Sequence, residues 1–108
     1  MSGTQKRNAK KELLSILGDS RPKCAVIQYM INFDEIDKLI ILKCGYTEDE
    51  WNIFLDRLDF EYSTWNEVEY LNGTIWMLDG TWYERMGFTA PAYWEHLRLP
   101  IIPKLLIE

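Results

Sequence analysis

Two dipeptides constrain this chain more than anything else in it: Asn72-Gly73 and Asp79-Gly80. Both are preferred type I′ hairpin signals, because the central positions of that turn need positive φ, which Asn, Asp and Gly tolerate. They punctuate an apolar and aromatic stretch that runs from Val68 to Arg85. The spacing predicts a three-stranded antiparallel meander with strands at about 67–71, 74–78 and 81–86.

Two-residue turns set a register, and the register sets the faces. Met77 is expected opposite Trp82, Trp76 opposite Tyr83, Tyr70 opposite Ile75, and Val68 opposite Met77. One face then carries Val68, Tyr70, Ile75, Met77 and Trp82, with Glu84 at its edge, and reads as core. The other carries Glu67, Glu69, Leu71, Thr74, Trp76, Leu78, Thr81, Tyr83 and Arg85. An ordinary solvent face does not need aromatics among its charges, so this second face is a candidate binding surface.

The rest of the chain supplies partners for the meander. Residues 24–33 are rich in β-branched and aromatic side chains and predict a strand, with Ala25, Ile27, Tyr29, Ile31 and Phe33 on one face. Residues 38–44 predict a second strand, and the short link at 34–37 makes the two an antiparallel hairpin. Thr47-Glu-Asp-Glu50 matches a capping box, in which the threonine and the glutamate satisfy each other's backbone amides. Trp51, Phe54, Leu55 and Leu58 then recur at helical spacing and predict an amphipathic helix over 48–58. Leu13, Leu14 and Leu17 predict a shorter helix over 9–18, which Gly18 ends. Residues 87–108 are broken by Pro91, Pro100 and Pro103, and read as a clamp across the sheet with a short turn near 92–97.

The expected fold is α+β, with an antiparallel sheet of about five strands in the order ββαβββ. One main helix packs on it, and a short N-terminal helix precedes it. Val26 or Ile27, Ile40 or Leu42, Phe54, Leu58, Ile75, Met77 and Trp82 are the expected core. Residues 24–108 read as a single domain, preceded by a basic segment at 1–23. A chain of 108 residues with 47% hydrophobic and 14% aromatic content can build such a core, which excludes disorder of the whole. No apolar run is long enough to cross a membrane as a helix. The basic N-terminus lacks the apolar segment of a secretory signal, and two cysteines make no disulfide framework. The expected compartment is the cytoplasm.

Charge is unevenly placed. The chain carries 12 bases and 17 acids, net −5. Residues 1–23 hold six bases and two acids, and residues 24–108 hold six bases and fifteen acids. The acidic body would repel nucleic acid and anionic membrane, and attract a basic protein surface. Glu48, Asp49 and Glu50 in the first turn of the predicted helix are the candidate steering acids, with Glu67 and Glu69 beside the aromatic face.

A catalytic constellation does not emerge. His96 is the sole histidine, and it lacks the partners a general base or a metal site would need. With a turn at 34–37, residue 27 rather than Cys24 would face Cys44, so the two cysteines read as buried free thiols without a cross-strand bridge. There is no phosphate loop, dinucleotide fingerprint or serine elbow. The reading is therefore non-enzymatic, with no cofactor and no metal.

The segment Gly73-Thr-Ile-Trp-Met-Leu-Asp-Gly-Thr-Trp82, with Glu84-Arg85, Tyr93-Trp-Glu-His96 and Pro100-Ile-Ile-Pro103, resembles a group of small uncharacterised proteins encoded by bacteriophages. The similarity starts near Ala25 and covers about three-quarters of the chain. It departs at Met86-Gly-Phe-Thr-Ala-Pro-Ala, where a more polar linker stands in those proteins, and residues 1–23 have no counterpart. The resemblance implies a phage context and carries no biochemical activity with it.

These observations predict an acidic, non-catalytic protein-binding modulator, a phage-encoded inhibitor of a host or anti-phage defence protein. Trp76 and Tyr83 would anchor it, and the acids would pair with arginine or lysine of the partner. A small-ligand or nucleotide-binding protein, a sponge for a signalling nucleotide or a small hydrolase, is the alternative, with bases stacked on the aromatic face and Arg85 on a phosphate. A third reading is a self-associating module that forms a homodimer through the same face or a sheet edge.

Overall fold

The computed structural model describes residues 6–31, 35–63, 69–86, 92–100 and 104–106. The chain forms β1 (Lys6–Asn8), α1 (Ala9–Leu17), β2 (Pro22–Ile31), β3 (Glu35–Leu42), α2 (Glu48–Arg57), β4 (Glu61–Ser63), β5 (Glu69–Met77), β6 (Trp82–Met86) and β7 (Tyr93–Leu97), then a 3₁₀ turn at Lys104–Leu106. A five-stranded antiparallel sheet has the order β3-β2-β5-β6-β7, and β1 and β4 pair as a separate two-stranded sheet. The class is α+β, as the sequence predicts.

The helices form where local chemistry allows them. The α2 capping box is complete: Thr47 Oγ1 accepts from the Glu50 amide at 3.1 Å, and Glu50 Oε1 accepts from the Thr47 amide at 3.0 Å. For α1, Asn8 is the N-cap, with its side chain accepting from the Lys11 amide at 3.0 Å, and Gly18 closes the helix at φ 58°. Both helices lie on one side of the large sheet. Ala9, Leu13 and Leu17 of α1 and Trp51 and Phe54 of α2 pack with Ala25, Ile27, Ile40, Leu42, Leu71 and Ile75 from the strands. The small sheet adds Tyr62 to this core, and β7 adds Trp94. Helix α1 thus packs into the same core as the sheet.

The meander is corrected in three respects. The Asn72-Gly73 pair makes no turn: β5 runs straight through it and pairs with β2 from Pro22↔Met77 to Ile31↔Glu69. A long strand at the centre of the sheet offers a partner along the whole of β5, and that pairing outweighs the local turn preference. Gly73 is needed there for another reason. Its φ is 152°, and a Cβ would stand 2.4 Å from the Val26 carbonyl oxygen and 2.9 Å from Ile27 Cα. The glycine permits close approach of backbones, not chain reversal.

The Asp79-Gly80 turn does form, but its loop is one residue longer than expected. The Met77 amide donates to the Thr81 carbonyl at 2.8 Å, so Leu78, Asp79 and Gly80 form a three-residue loop, with Gly80 at φ 88°. This is the hairpin whose glycine takes the left-handed position after a tight turn. The register becomes Trp76↔Trp82, Ile75↔Tyr83 and Thr74↔Glu84. One residue of shift exchanges the faces of the whole of β6.

The third correction is β7. The expected turn near 92–97 is a strand, paired with β6 from Trp82↔Leu97 to Met86↔Tyr93. The first hairpin is also shifted. Ala25 pairs with Leu42 and Ile27 with Ile40, with a register slip between Tyr29 and Met30. Residue 27 therefore does not face Cys44, and Cys44 arrives beside the start of β2.

Candidate functional site

The corrected register divides the predicted binding face. Ile75 is completely buried and pairs with Tyr83, so Tyr83 lies on the covered face. Its ring stacks on His96 at 4.4 Å between centroids, and its hydroxyl donates to the Ile16 carbonyl of α1 at 3.3 Å. Trp76 lies on the opposite, open face. The two expected anchors point to different sides of the sheet.

Arg85 is the largest displacement from expectation. Its side chain is 3% exposed and sits in an ionic network. Its guanidinium donates to Glu12 Oε1 at 2.9 Å and to the Tyr62 hydroxyl. The Tyr62 hydroxyl in turn donates to Glu12, and Arg7 donates to the second Glu12 oxygen at 2.6 Å and to the Ala92 carbonyl at 3.0 Å. The guanidinium also lies 5.3 Å from the centroid of the Trp94 ring. Burial, and secondarily the hydrogen bond to Glu12, push the Tyr62 hydroxyl far above the ordinary tyrosine range, against the opposing pull of Arg85. This cluster ties α1, β4, β6 and β7 together. Its arginine is already answered by a carboxylate, so the nucleotide-binding alternative loses its phosphate ligand.

The candidate steering acids are placed as follows. Glu48 forms a bidentate pair with Arg21 at 2.8 and 3.0 Å, and Arg21 holds its carboxyl below the usual range. Arg21 itself lies over the Trp51 ring, 4.7 Å from its centroid. Glu50 is engaged in the α2 cap, and Asp49 is exposed in the same first turn. All three belong to the helical layer, on the covered side of the sheet from Trp76. Glu67 lies outside the described residues, and Glu69 opens β5 opposite Ile31.

His96 reaches the β5–β6 turn. Its Nε2 lies 2.8 Å from Thr81 Oγ1, while that hydroxyl lies 2.6 Å from Asp79 Oδ1. The single hydroxyl proton goes to the carboxylate, and the Thr81 oxygen accepts from the imidazole. Hydrogen bonds from Thr81 accordingly lower the Asp79 carboxyl. The chain of three pins the β5–β6 turn to β7.

What the sheet leaves open is its other face. Among the described residues both helices and the small sheet pack on one side. On the other, Ile36, Leu39 and Ile41 of β3, Trp76 of β5 and Tyr93 of β7 are each between 42% and 50% exposed. Val26 and Met30 of β2 and Trp82 of β6 lie between them, half-buried. At the β6–β7 end of this face, Glu84 and Glu95 stand directly opposite each other. Glu84 accepts a hydrogen bond from Trp82 Nε1 at 3.0 Å, and neither acid has a basic partner among the described residues. Like charges in cross-strand register destabilise a sheet by up to about 1 kcal/mol.

Sequence reasoning missed this patch except for Trp76. The signal was present: Leu39-Ile-Ile-Leu42 and Ala25-Val-Ile27 are apolar on both faces of their strands. Such runs suit strands covered on both sides, and here only one side is covered. The expected second face failed because the loop after Met77 holds three residues rather than two, which turns Tyr83 and Arg85 to the covered side, and because Asn72-Gly73 is strand, which does the same for Leu71.

No family model matches this chain, and neither does any curated protein or solved structure.

Proposed function

We propose that the protein is a non-catalytic binding module that docks a basic protein surface on the open face of its sheet. The carrying observation is the juxtaposition of Trp76, Trp82 and Tyr93 with the unanswered Glu84–Glu95 pair. Aromatics of this kind supply most of the energy of a protein interface. An arginine or lysine of the partner, inserted between the two carboxylates, would relieve their repulsion and lie against tryptophan. The charge of −5 assists approach over a longer range. The partner chemistry is therefore a basic residue set in an apolar surround. In the phage context that the resemblance implies, the partner is a host or defence protein and the effect is inhibition by occupancy.

A second copy that set its own Glu84 and Glu95 on this pair would bring acids against acids, which disfavours a homodimer in that one arrangement. The test uses immobilised protein in host lysate at low and high salt, with Trp76→Ala, Glu84→Gln/Glu95→Gln and the covered-face variant Tyr83→Phe beside the wild type. A protein retained by wild type and Tyr83→Phe, lost by Trp76→Ala, and weakened both by high salt and by the double glutamine variant supports the reading. Retention that ignores the open-face variants rejects it. Sedimentation of the pure protein supplies the other decision, since a dimer abolished by Trp76→Ala would assign this face to self-association.

A further inference from the structure

Beside the docking face lies a pair of groups that it does not use. Cys24 and Cys44, both free thiols, line one open cleft of about 270 Å³ with Lys23, Trp76, Met77, Gly80 and Thr81. Three features of the fold bring them together. Ala25 pairs with Leu42, so the chain leaving β3 passes Lys23 and Cys24 two residues later. The β2–β5 register slips between Pro22 and Cys24, which breaks the strict alternation of side chains at that point. Cys44 lies beyond the last paired residue of β3, just before Gly45 at φ 78°, and is free of the strand's alternation. Residues on adjacent strands that would otherwise face apart therefore share one cleft.

We propose that Cys24 and Cys44 are a dithiol modification site that closes to a reversible intramolecular disulfide when it meets a small-molecule disulfide such as oxidised glutathione.

The two thiols are unequal in a way that orders the steps. Cys44 is exposed and Cys24 is half-buried. Burial, then a hydrogen bond with Cys44, raise the Cys24 thiol, and the nearby Lys23 ammonium opposes them. Cys44 is thus the first to react. Its thiolate attacks one sulfur of oxidised glutathione, forms a mixed disulfide and releases one glutathione thiolate. Cys24 then gives its proton to solvent, attacks the Cys44 sulfur and releases the second glutathione thiolate. Two cysteine thiols are oxidised and one glutathione disulfide is reduced to two thiols. The product bond would staple the start of β2 to the turn that leads into α2. An exposed disulfide of this kind is among the readily reduced ones, so the site reports on the surrounding thiol pool.

The test follows the full-length protein with oxidised glutathione as the probe, by intact mass and thiol titration. Native wild type is expected to lose both thiols and the mass of two hydrogens, to keep no glutathione, and to regain both thiols with dithiothreitol. Cys24→Ser is expected to hold a glutathione on Cys44 instead. In denaturant, ring closure should slow by roughly tenfold or more, because the fold no longer holds the sulfurs together. A glutathione adduct that persists on native wild type, equal closure rates with and without denaturant, or no reaction at all would each overturn the proposal. None of these readouts depends on partner binding.

Discussion

The two faces of the large sheet follow opposite rules. Two helices seal the covered face: Ile27 and Ile75 are completely buried, Arg85 is met by Glu12 and Tyr62, and Lys38 lies over the Phe60 ring. The open face carries as many large apolar side chains but leaves several about half exposed, and Glu84 and Glu95 face each other there with no basic partner among the described residues. The covered face spends its interactions inside the molecule. On the function proposed above, the open face keeps its own for a partner. Perturbing the first should alter folding, and perturbing the second should alter binding alone.

Glu12→Ala tests the covered face most severely. It leaves the Arg85 guanidinium buried without its carboxylate, and breaking a buried pair from one side costs about 3–5 kcal/mol. Urea unfolding of the variant should show a midpoint far below wild type. A Glu12→Gln/Arg85→Met double variant should recover a large part, since neutral apolar replacement avoids the stranded charge. A loss under about 1 kcal/mol for Glu12→Ala would remove the network from any structural role.

Gly73→Ala comes next. The added methyl has no room against the Val26 carbonyl, and the backbone angle is unfavourable for alanine. A loss of about 2 kcal/mol or more is expected. Gly45 also has positive φ, but a Cβ there meets nothing within 4 Å. Gly45→Ala should cost about 1 kcal/mol from the backbone alone. Equal losses for the two would argue that β5 does not run against β2 as described.

The third prediction concerns alkaline pH. Tyr62 keeps its proton in the folded protein well above the ordinary tyrosine value of 10.0, whereas the unfolded chain releases it there. The unfolded state then binds fewer protons, so stability must fall as pH rises through and above that range. The contribution is fully present below it. Tyr62→Phe should lower stability at neutral pH by about 1 kcal/mol through its lost hydrogen bonds, and should show a shallower alkaline decline. An unchanged slope would place the hydroxyl in solvent.

The smallest effect on folding is expected from Trp76→Ala and Ile41→Ser on the open face. Each should shift stability by no more than about 1 kcal/mol, because both side chains are already half in water. A loss comparable to that of Glu12→Ala would mean that the open face is part of the fold and would end the contrast between the two faces.

Much of the fold was legible in the sequence because its signals are local. The Thr47–Glu50 capping box, the helical spacing of Trp51, Phe54 and Leu58, and the strand composition around Ile27 depend on neighbours within a few residues. So does the Asp79-Gly80 turn. Ile27, Ile40, Phe54, Leu58 and Ile75 were expected in the core and are buried there. Less of the site was legible. Trp76 was found, but Tyr83 and Arg85 were assigned to its face through a register that depends on whether the loop holds two residues or three.

The sequence by itself determined the helices, the strand-rich class and the net negative charge, since propensity and capping act over short spans and charge is a sum over residues. Only the tertiary structure decided that Asn72-Gly73 is strand rather than turn, that Arg85 is interior, and that Cys24 and Cys44 share a cleft. Each of those outcomes depends on which distant strand pairs with which, and in what register. In a sheet a slip of one residue moves every side chain to the other face, so contacts between distant segments settle what local preference cannot.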